Sequence, residues 1–193
     1  MAGKQAKVLT KAQIDTALMS FKMTRHPNRN RVLFLLSVKA GLRACECANL
    51  RWTMVMDANA QVGDLIALED RIAKKMSGRT VPLNRDLRSA LVALADQCKP
   101  LPNDFVIQSE RRGPMSANTV AHWFHRQYSK LGYIGCSSHS GRRTFITRAA
   151  QRVGTVGGSI RDVQQLAGHR SLQMTASYIE CNTDAQKQLV NLL

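Results

Sequence analysis

The feature that most constrains the fold of this chain is an interruption. Apolar residues recur at helical spacing towards both ends of the sequence, but residues 54–83, MVMDANAQVGDLIALEDRIAKKMSGRTVPL, break that period with Asn, Asp and Gly between short apolar runs. Such punctuation predicts a small antiparallel sheet. Its last turn, KKMSG, is read as joining a strand at DRIA to one at RTVPL. A chain of 193 residues is long enough for one well-filled domain. The expected architecture is therefore mainly α with a small antiparallel β-sheet inserted early.

The flanking segments carry their own start and stop signals. LTKAQIDTALMSF opens with a capping box, Thr10 and Gln13, and continues with Ile14, Ala17, Leu18 and Phe21 on one face. RNRVLFLLSVKAGLR is a strongly apolar second helix that Gly41 can end in a left-handed conformation, and ACECANLRW is a short third one. After the insert, Leu87, Leu91 and Leu94 mark one helix, and Val120, Trp123, Phe124, Tyr128 and Leu131 mark another opened by Ser116. SSHSGRRTFITRAAQRV places Phe145 and Ile146 near one face; IRDVQQLAG and SLQMTASYIE follow the loose GTVGGS. The expected division is a basic, mobile lead over 1–8, a body over 9–180 and an amphipathic tail over 181–193.

Charge narrows the partners. Lysine and arginine total 28 against 13 acidic residues, a formal charge of +15 and a pI near 10.3. A polyanion is the expected partner, nucleic acid before an anionic membrane. No apolar run approaches the roughly 20 residues that span a bilayer, and MAGKQAKVL lacks the apolar block of a secretion signal, so the expected location is cytoplasmic. Five cysteines without C-x-x-C spacing read as reduced thiols, and Cys45 and Cys47 alone do not make a zinc site.

Six residues form a set with one chemistry in common: Arg43 in AGLRACE, Lys74 in AKKMSG, His139 and Arg142 in HSGRR, His169 in AGHRS, and Tyr178 nine residues later. A phenol titrates at about 10 and is a weak nucleophile at neutral pH, so it needs positive charge beside it and a base for its proton. Arginine forks can hold two phosphate oxygens and grip harder as charge builds in a pentacoordinate transition state. A histidine can take or give a proton, and a lysine can protonate a departing hydroxyl. The product would be a phosphotyrosine ester, made without metal, cofactor or ATP; the sequence offers no acidic cluster to hold a metal.

Set in order, these motifs resemble the catalytic domain of the tyrosine recombinase, or phage integrase, family. AGLRACECANLRW is similar to the first arginine motif, with Glu46 three residues after the arginine. HSGRRTFITRAA resembles the His-x-x-Arg motif, and LAGHRSLQMTASYIE the histidine followed by the nucleophilic tyrosine. AKKMSGRTVPL is similar to the hairpin bearing the family lysine, its offset from VPL selecting Lys74 over Lys75; Lys75 and Arg79 are the competing positions. The resemblance implies that Arg43, Arg142 and His169 hold the phosphate, Lys74 is the general acid, His139 assists proton transfer and Tyr178 attacks. It also implies a 3′-phosphotyrosyl intermediate, a free 5′-hydroxyl, double-stranded DNA as partner, a tetramer on two paired sites, accessory DNA-bending proteins, and exchange of the C-terminal tail (Leu189, Val190, Leu192, Leu193) between subunits.

Two departures are expected to matter. Family members usually carry a helical DNA-gripping domain ahead of the catalytic one, which the basic lead does not supply, so the chain reads as a minimal recombinase or a fragment. The glycine-bearing VGTVGGS is expected to alter how His169 is presented. Arg143 is assigned to DNA backbone or outward packing, and His122 and His125 to an interface or the core. Tyr128, on an apolar stripe, and Tyr133, in a GYIG turn, are the rival nucleophiles. The alternative functions are a non-catalytic DNA-binding protein that keeps the fold and, less favoured by chain length, a type IB topoisomerase.

Overall fold

The computed structural model describes residues 6–72, 78–111, 113–178 and 190–191. Helix α1 (Lys11–Phe21) starts at the expected box: Thr10 Oγ1 accepts the Gln13 N–H at 3.1 Å and Gln13 Oε1 accepts the Thr10 N–H at 2.9 Å. Such a cap stabilises the helix by about 1 kcal/mol. Helix α2 (Pro27–Ala40) begins on a proline that has no N–H to leave unpaired. Val32, Leu33, Phe34, Leu35 and Leu36 are all buried. A helix apolar on every side needs neighbours on every side, and α2 is flanked by α1, α3 (Ala44–Asn49), α4 (Arg85–Cys98) and α6 (Ser140–Arg152).

Gly41 ends α2 in the left-handed region at φ 65°, and a Cβ there would lie 2.4 Å from Phe145 Cδ1. Glycine is thus required for both its φ and its missing side chain. The consequence is positional, because the close approach seats the first turn of α6 against the α2–α3 junction.

The insert forms one antiparallel pair, β1 (Leu65–Leu68) with β2 (Arg79–Pro82), Ile66 facing Val81 and Leu68 facing Arg79. The first strand of the hairpin is therefore LIAL and not DRIA. Ile66 and Leu68 alternate inward and are buried, whereas Asp70–Ile72 winds into a 3₁₀ turn whose Asp70 Oδ1 accepts the Gly78 N–H at 2.8 Å. Aspartate favours such local bonding to backbone over a ladder position. Residues 73–77, which include Lys74 and Lys75, lie outside the described residues.

Helix α5 (Ala117–Lys130) is capped by Ser116, as expected, and lies against α3. Its Trp123, Phe124 and Tyr128 join Phe21 and Phe34 in a chain of ring contacts with centroids 5.0–6.5 Å apart. His122 and His125 stand on the exposed face of α5 and not in the core. A second, smaller apolar cluster holds α7 (Ile160–Ala167) on α6 through Ile146, Val163 and Ala167, with Tyr178 half-buried at its edge just beyond α8 (Leu172–Ala176).

The glycine-bearing loop does not disturb this arrangement. Val153–Val156 coil into a 3₁₀ turn, and the Gly158 N–H donates back to Val153 O at 3.0 Å. The extra residues close on themselves at the surface, and α7 restarts cleanly at its Ser159–Asp162 cap. At the other end the Leu9 N–H donates to Thr144 Oγ1 at 2.8 Å and Leu9 O accepts from Arg148 Nη2 at 3.0 Å, so the buried Leu9 is tied to α6. Cys45, Cys47, Cys98 and Cys136 are free thiols; Cys181 and most of the 181–193 tail lie outside the described residues.

Candidate active site

The site grows around a buried carboxylate. Arg43 follows the glycine stop of α2 in extended conformation and serves as N-cap of α3, and Glu46 three residues on reaches back to it. Glu46 Oε2 accepts the Arg43 backbone N–H at 2.9 Å, and Oε1 accepts from Arg43 Nη1 at 2.6 Å. From β2, Arg79 presents its fork to the same group: Nη1 lies 3.0 Å from Oε1 and Nη2 3.0 Å from Oε2. Glu46 is fully buried. Burial alone would raise its carboxyl, but hydrogen bonding and charge from Arg79, followed by the Arg43 backbone N–H and guanidinium, outweigh it and hold Glu46 at about 2.

Arg142 enters from the first turn of α6 and is 4% exposed. Instead of a carboxylate it has two helix ends. Its Nη1 donates to Gly41 O at the end of α2 and its Nη2 to Ala167 O at the end of α7, both at 2.6 Å. Carbonyls at a helix C-terminus are unpaired within the helix and carry the negative end of its dipole, which is what makes this burial tolerable. Burial first, and then the positive charge of Arg43, lower Arg142 to about 10, against the opposing pull of Glu46 and Tyr178. It stays charged at neutral pH.

Gly168, left-handed at φ 63°, turns the chain out of α7 and delivers His169. The His169 ring is 7% exposed and sets Nδ1 3.0 Å from Thr175 Oγ1 on α8. Burial, then the charges of Arg142, Arg43 and Arg79, push its imidazole down to about 4, so it is neutral at physiological pH. The nine-residue spacing to Tyr178 is thereby explained: one Ser171-capped turn and the short α8 fold the tyrosine ring back on the histidine ring. Their centroids lie 5.4 Å apart with planes 27° from parallel. Arg143 is over the Tyr178 ring at 5.8 Å rather than packed outward.

Four of the six sequence candidates thus converge: Arg43, Arg142, His169 and Tyr178 come from four separate elements. His139, at the N-cap of α6, is exposed and its ring makes no hydrogen bond with the described residues. Lys74 falls outside the described residues. The rival tyrosines lie elsewhere, in the aromatic cluster and against α1. Burial raises the Tyr128 hydroxyl well above the usual phenol range, and the Tyr133 hydroxyl donates to Gln13 O at 2.9 Å. Sequence reasoning missed Thr175 and treated Arg79 only as a competitor for the lysine position. The period-2 alternation of β2, which puts Arg79 on the same face as the buried Val81, was the available signal.

Among the described residues, two guanidiniums here share one carboxylate, and a third, that of Arg142, lies beside them on backbone carbonyls. Beside them a cleft of about 400 Å³ has Arg79, Arg161, Gln164, Gly168, His169 and Arg170 in its walls. Concentrated positive charge in a partly dry site is suited to an anion with several oxygens.

Known proteins include relatives of this chain in sequence and in fold. Tyrosine recombinase XerA of Thermococcus kodakarensis is 25% identical over 179 residues, which cover 92% of this chain and 59% of that protein. This chain thus spans well under two thirds of the length of that relative. In fold it is similar to a XerA recombinase crystal structure (TM-score 0.71, 22% identity, covering 100% of this chain and 65% of the other). It is also similar to the Tn1549 transposon integrase in complex with a circular intermediate DNA (TM-score 0.75, 20% identity, 100% and 67%). Residues 7–184 match the model of the phage integrase family. A match over that span takes in every element that builds the arginine, histidine and tyrosine cluster, and the chain belongs to the phage integrase family.

Proposed function

We propose that this chain is the catalytic part of a site-specific recombinase that breaks and rejoins double-stranded DNA through a 3′-phosphotyrosyl intermediate, with residues 9–180 as its catalytic domain. The observation that carries the reading is the convergence of Arg43, Arg142, His169 and Tyr178 from four elements on one cationic pocket. In the forward step the Tyr178 oxygen bonds to phosphorus as the bond from phosphorus to the 5′-oxygen breaks. Tyr178 gives up its proton with assistance from His139, and the departing 5′-oxygen takes one from Lys74. A 5′-hydroxyl from another strand reverses the step, so one phosphodiester replaces another without ATP.

Arg43 and Arg142 supply the charge that tightens on the phosphate oxygens in the transition state. His169 Nδ1 and Thr175 Oγ1 are hydrogen-bonded; in this reading the hydroxyl donates, so that the imidazole carries its proton on Nε2 and offers a neutral donor to the same phosphate. The charge of +15 makes DNA affinity steeply salt-dependent. No helix among the described residues is long and apolar enough to cross a membrane; action on DNA in the cytoplasm belongs to the same proposal. Assembly is a tetramer on two paired sites, with the tail over 181–193 exchanged between subunits and DNA-bending proteins assisting.

The test is covalent capture. Nicked duplexes carrying a randomised stretch trap the intermediate because the short strand beyond the cut diffuses away. Wild-type protein is expected to give an adduct that survives detergent, and Tyr178→Phe none. An adduct of equal yield in Tyr178→Phe refutes the assignment; salt-sensitive binding with no adduct from any duplex supports the non-catalytic alternative. Relaxation of supercoiled plasmid lacking paired sites would move the reading to a type IB topoisomerase. Replacing Arg43 or Arg142 by alanine is expected to slow cleavage about 10²-fold.

A further inference from the structure

The buried carboxylate of Glu46 has two oxygens and about four lone-pair positions, and all four are filled. Oε1 takes Arg43 Nη1 and Arg79 Nη1; Oε2 takes Arg79 Nη2 and the Arg43 backbone N–H. Arg43, which is more exposed than Arg79 (18% against 6%), is therefore held by one nitrogen of its fork. Its Nη2 reaches only to Gly168 O at 3.5 Å. Arg79 has all three of its nitrogens engaged. Besides its two bonds to Glu46, its Nε donates to Leu166 O at 2.8 Å near the end of α7. Two of its five N–H groups remain, but at 6% exposure the side chain is tied into the site rather than offered to a substrate.

We infer that Arg79 is a positioning residue: by occupying both oxygens of Glu46 it limits Arg43 to a single contact with that carboxylate and leaves the rest of the Arg43 fork for a phosphate. Without Arg79, two acceptor positions of a buried anion fall vacant, and Arg43 is the guanidinium already touching it. A fork meeting a carboxylate settles into two parallel bonds, so Arg43 would turn from the pocket on to Glu46. The neighbouring glycine fits this role, since a Cβ on Gly168 would lie 2.9 Å from both Cδ and Nη1 of Arg79. Through Gly168 and Leu166 the same side chain also fixes the turn that presents His169, and it joins β2, five residues beyond Lys74 in sequence, to the arginine pair.

This inference deepens the recombinase reading but is tested apart from it, on the free protein, by nitrogen-15 NMR of the Arg43 guanidinium during titration with inorganic phosphate. The variants are Arg79→Met, Arg79→Lys, and each combined with Glu46→Gln. Arg79→Met is expected to weaken phosphate binding at Arg43 about 10-fold and to slow rotation of its guanidinium. Adding Glu46→Gln removes the charge that captures Arg43 and is expected to restore binding to within about 3-fold of wild type. A residue that merely supports the fold would give the opposite, a double variant as weak as or weaker than the single one. Equal losses in both backgrounds, or no loss in Arg79→Met, overturn the inference. Arg79→Lys keeps the charge with one bond in place of a fork and is expected to fall between; it carries the same paired comparison should Arg79→Met not fold. Failure of wild-type protein to form a DNA adduct would sink the recombinase reading while leaving this titration decisive for Arg79.

Discussion

Phe34 and Glu46 are equally inaccessible to water, at 1% and 0% exposure, yet they are buried for different reasons. Around Phe34 lie Phe21, Trp123, Phe124 and Tyr128, and what holds them is the exclusion of water and ring-edge contact, which has no strong direction. Around Glu46 every contact is directional, each oxygen matched to named donors from α3 and β2. The aromatic region sets stability and tolerates rearrangement. The arginine region sets geometry and does not, because removing one partner exposes the full desolvation cost of those left behind.

The widest separation between the two regions should come from Phe34→Ala. Truncating a buried phenylalanine costs about 3–5 kcal/mol, which urea denaturation would read directly, while the arginine resonances of the folded fraction should stay where they are. If those resonances moved as far as the unfolding midpoint did, the two regions would be one mechanical unit and the contrast would fail.

Acid should act the other way, attacking the polar region and sparing the aromatic one. His169 titrates at about 4 in the folded chain against 6.5 unfolded, so between those values the unfolded chain binds a proton that the folded one does not. Stability from this group is complete above pH 6.5 and declines as pH falls towards 4. Burial lowers His26 as well, followed by Arg29, and it adds to the same limb. Glu46, at about 2 against 4.5, contributes above pH 4.5 and is lost as pH falls towards 2. The displacements of His169 and Glu46 each correspond to roughly 3 kcal/mol. Urea midpoints between pH 7.5 and 4 should fall, and His169→Asn should flatten that slope; an unchanged slope would remove His169 from the account.

Gly168→Ala is expected to be milder in stability, about 1–2 kcal/mol for a left-handed alanine. Its effect falls on one contact. The added methyl meets the Arg79 side chain at 2.9 Å, and Arg79 has three hydrogen bonds to lose by moving. Thermal denaturation together with the Arg43 phosphate titration separates the two consequences, and a Tm drop with an unaltered titration would show that Arg79 can give way without releasing Glu46.

How much of this was legible beforehand follows the same divide. The helices of the apolar region announce themselves through spacing and caps: Thr10 with Gln13, Ser116, and the stop at Gly41 all stand where the sequence places them. The order of Arg43, Arg142, His169 and Tyr178 was readable as a motif set. Their convergence depends on close approaches, such as Gly41 against Phe145, that no local pattern encodes. Arg79 was obscured because a basic residue beside a lysine-bearing hairpin turn reads as surface until the strand register is known. The misplacement of the first hairpin strand on DRIA has the same origin, since register is fixed by which face is buried, and Ile66 with Leu68 decides it.

The smallest effect offers the sharpest contrast, because one chemical change can be made in both regions. Tyr128 is 2% exposed, and its hydroxyl makes no hydrogen bond with a described protein group. An unpaired buried hydroxyl costs about 1–3 kcal/mol, while the Tyr128 ring keeps its contacts with Phe124 and Phe34 whether or not the oxygen is present. Tyr128→Phe should therefore leave stability unchanged or raise it by about 1 kcal/mol, with adduct yield untouched. Tyr178→Phe should leave stability nearly as it was, since the half-buried ring still stacks on His169, and abolish the adduct. Removing one oxygen atom would then act on the energy of the fold in one place and on its chemistry in the other. A loss of adduct in Tyr128→Phe, measured at equal folded concentration, would show that the aromatic region reaches into the arginine pocket after all.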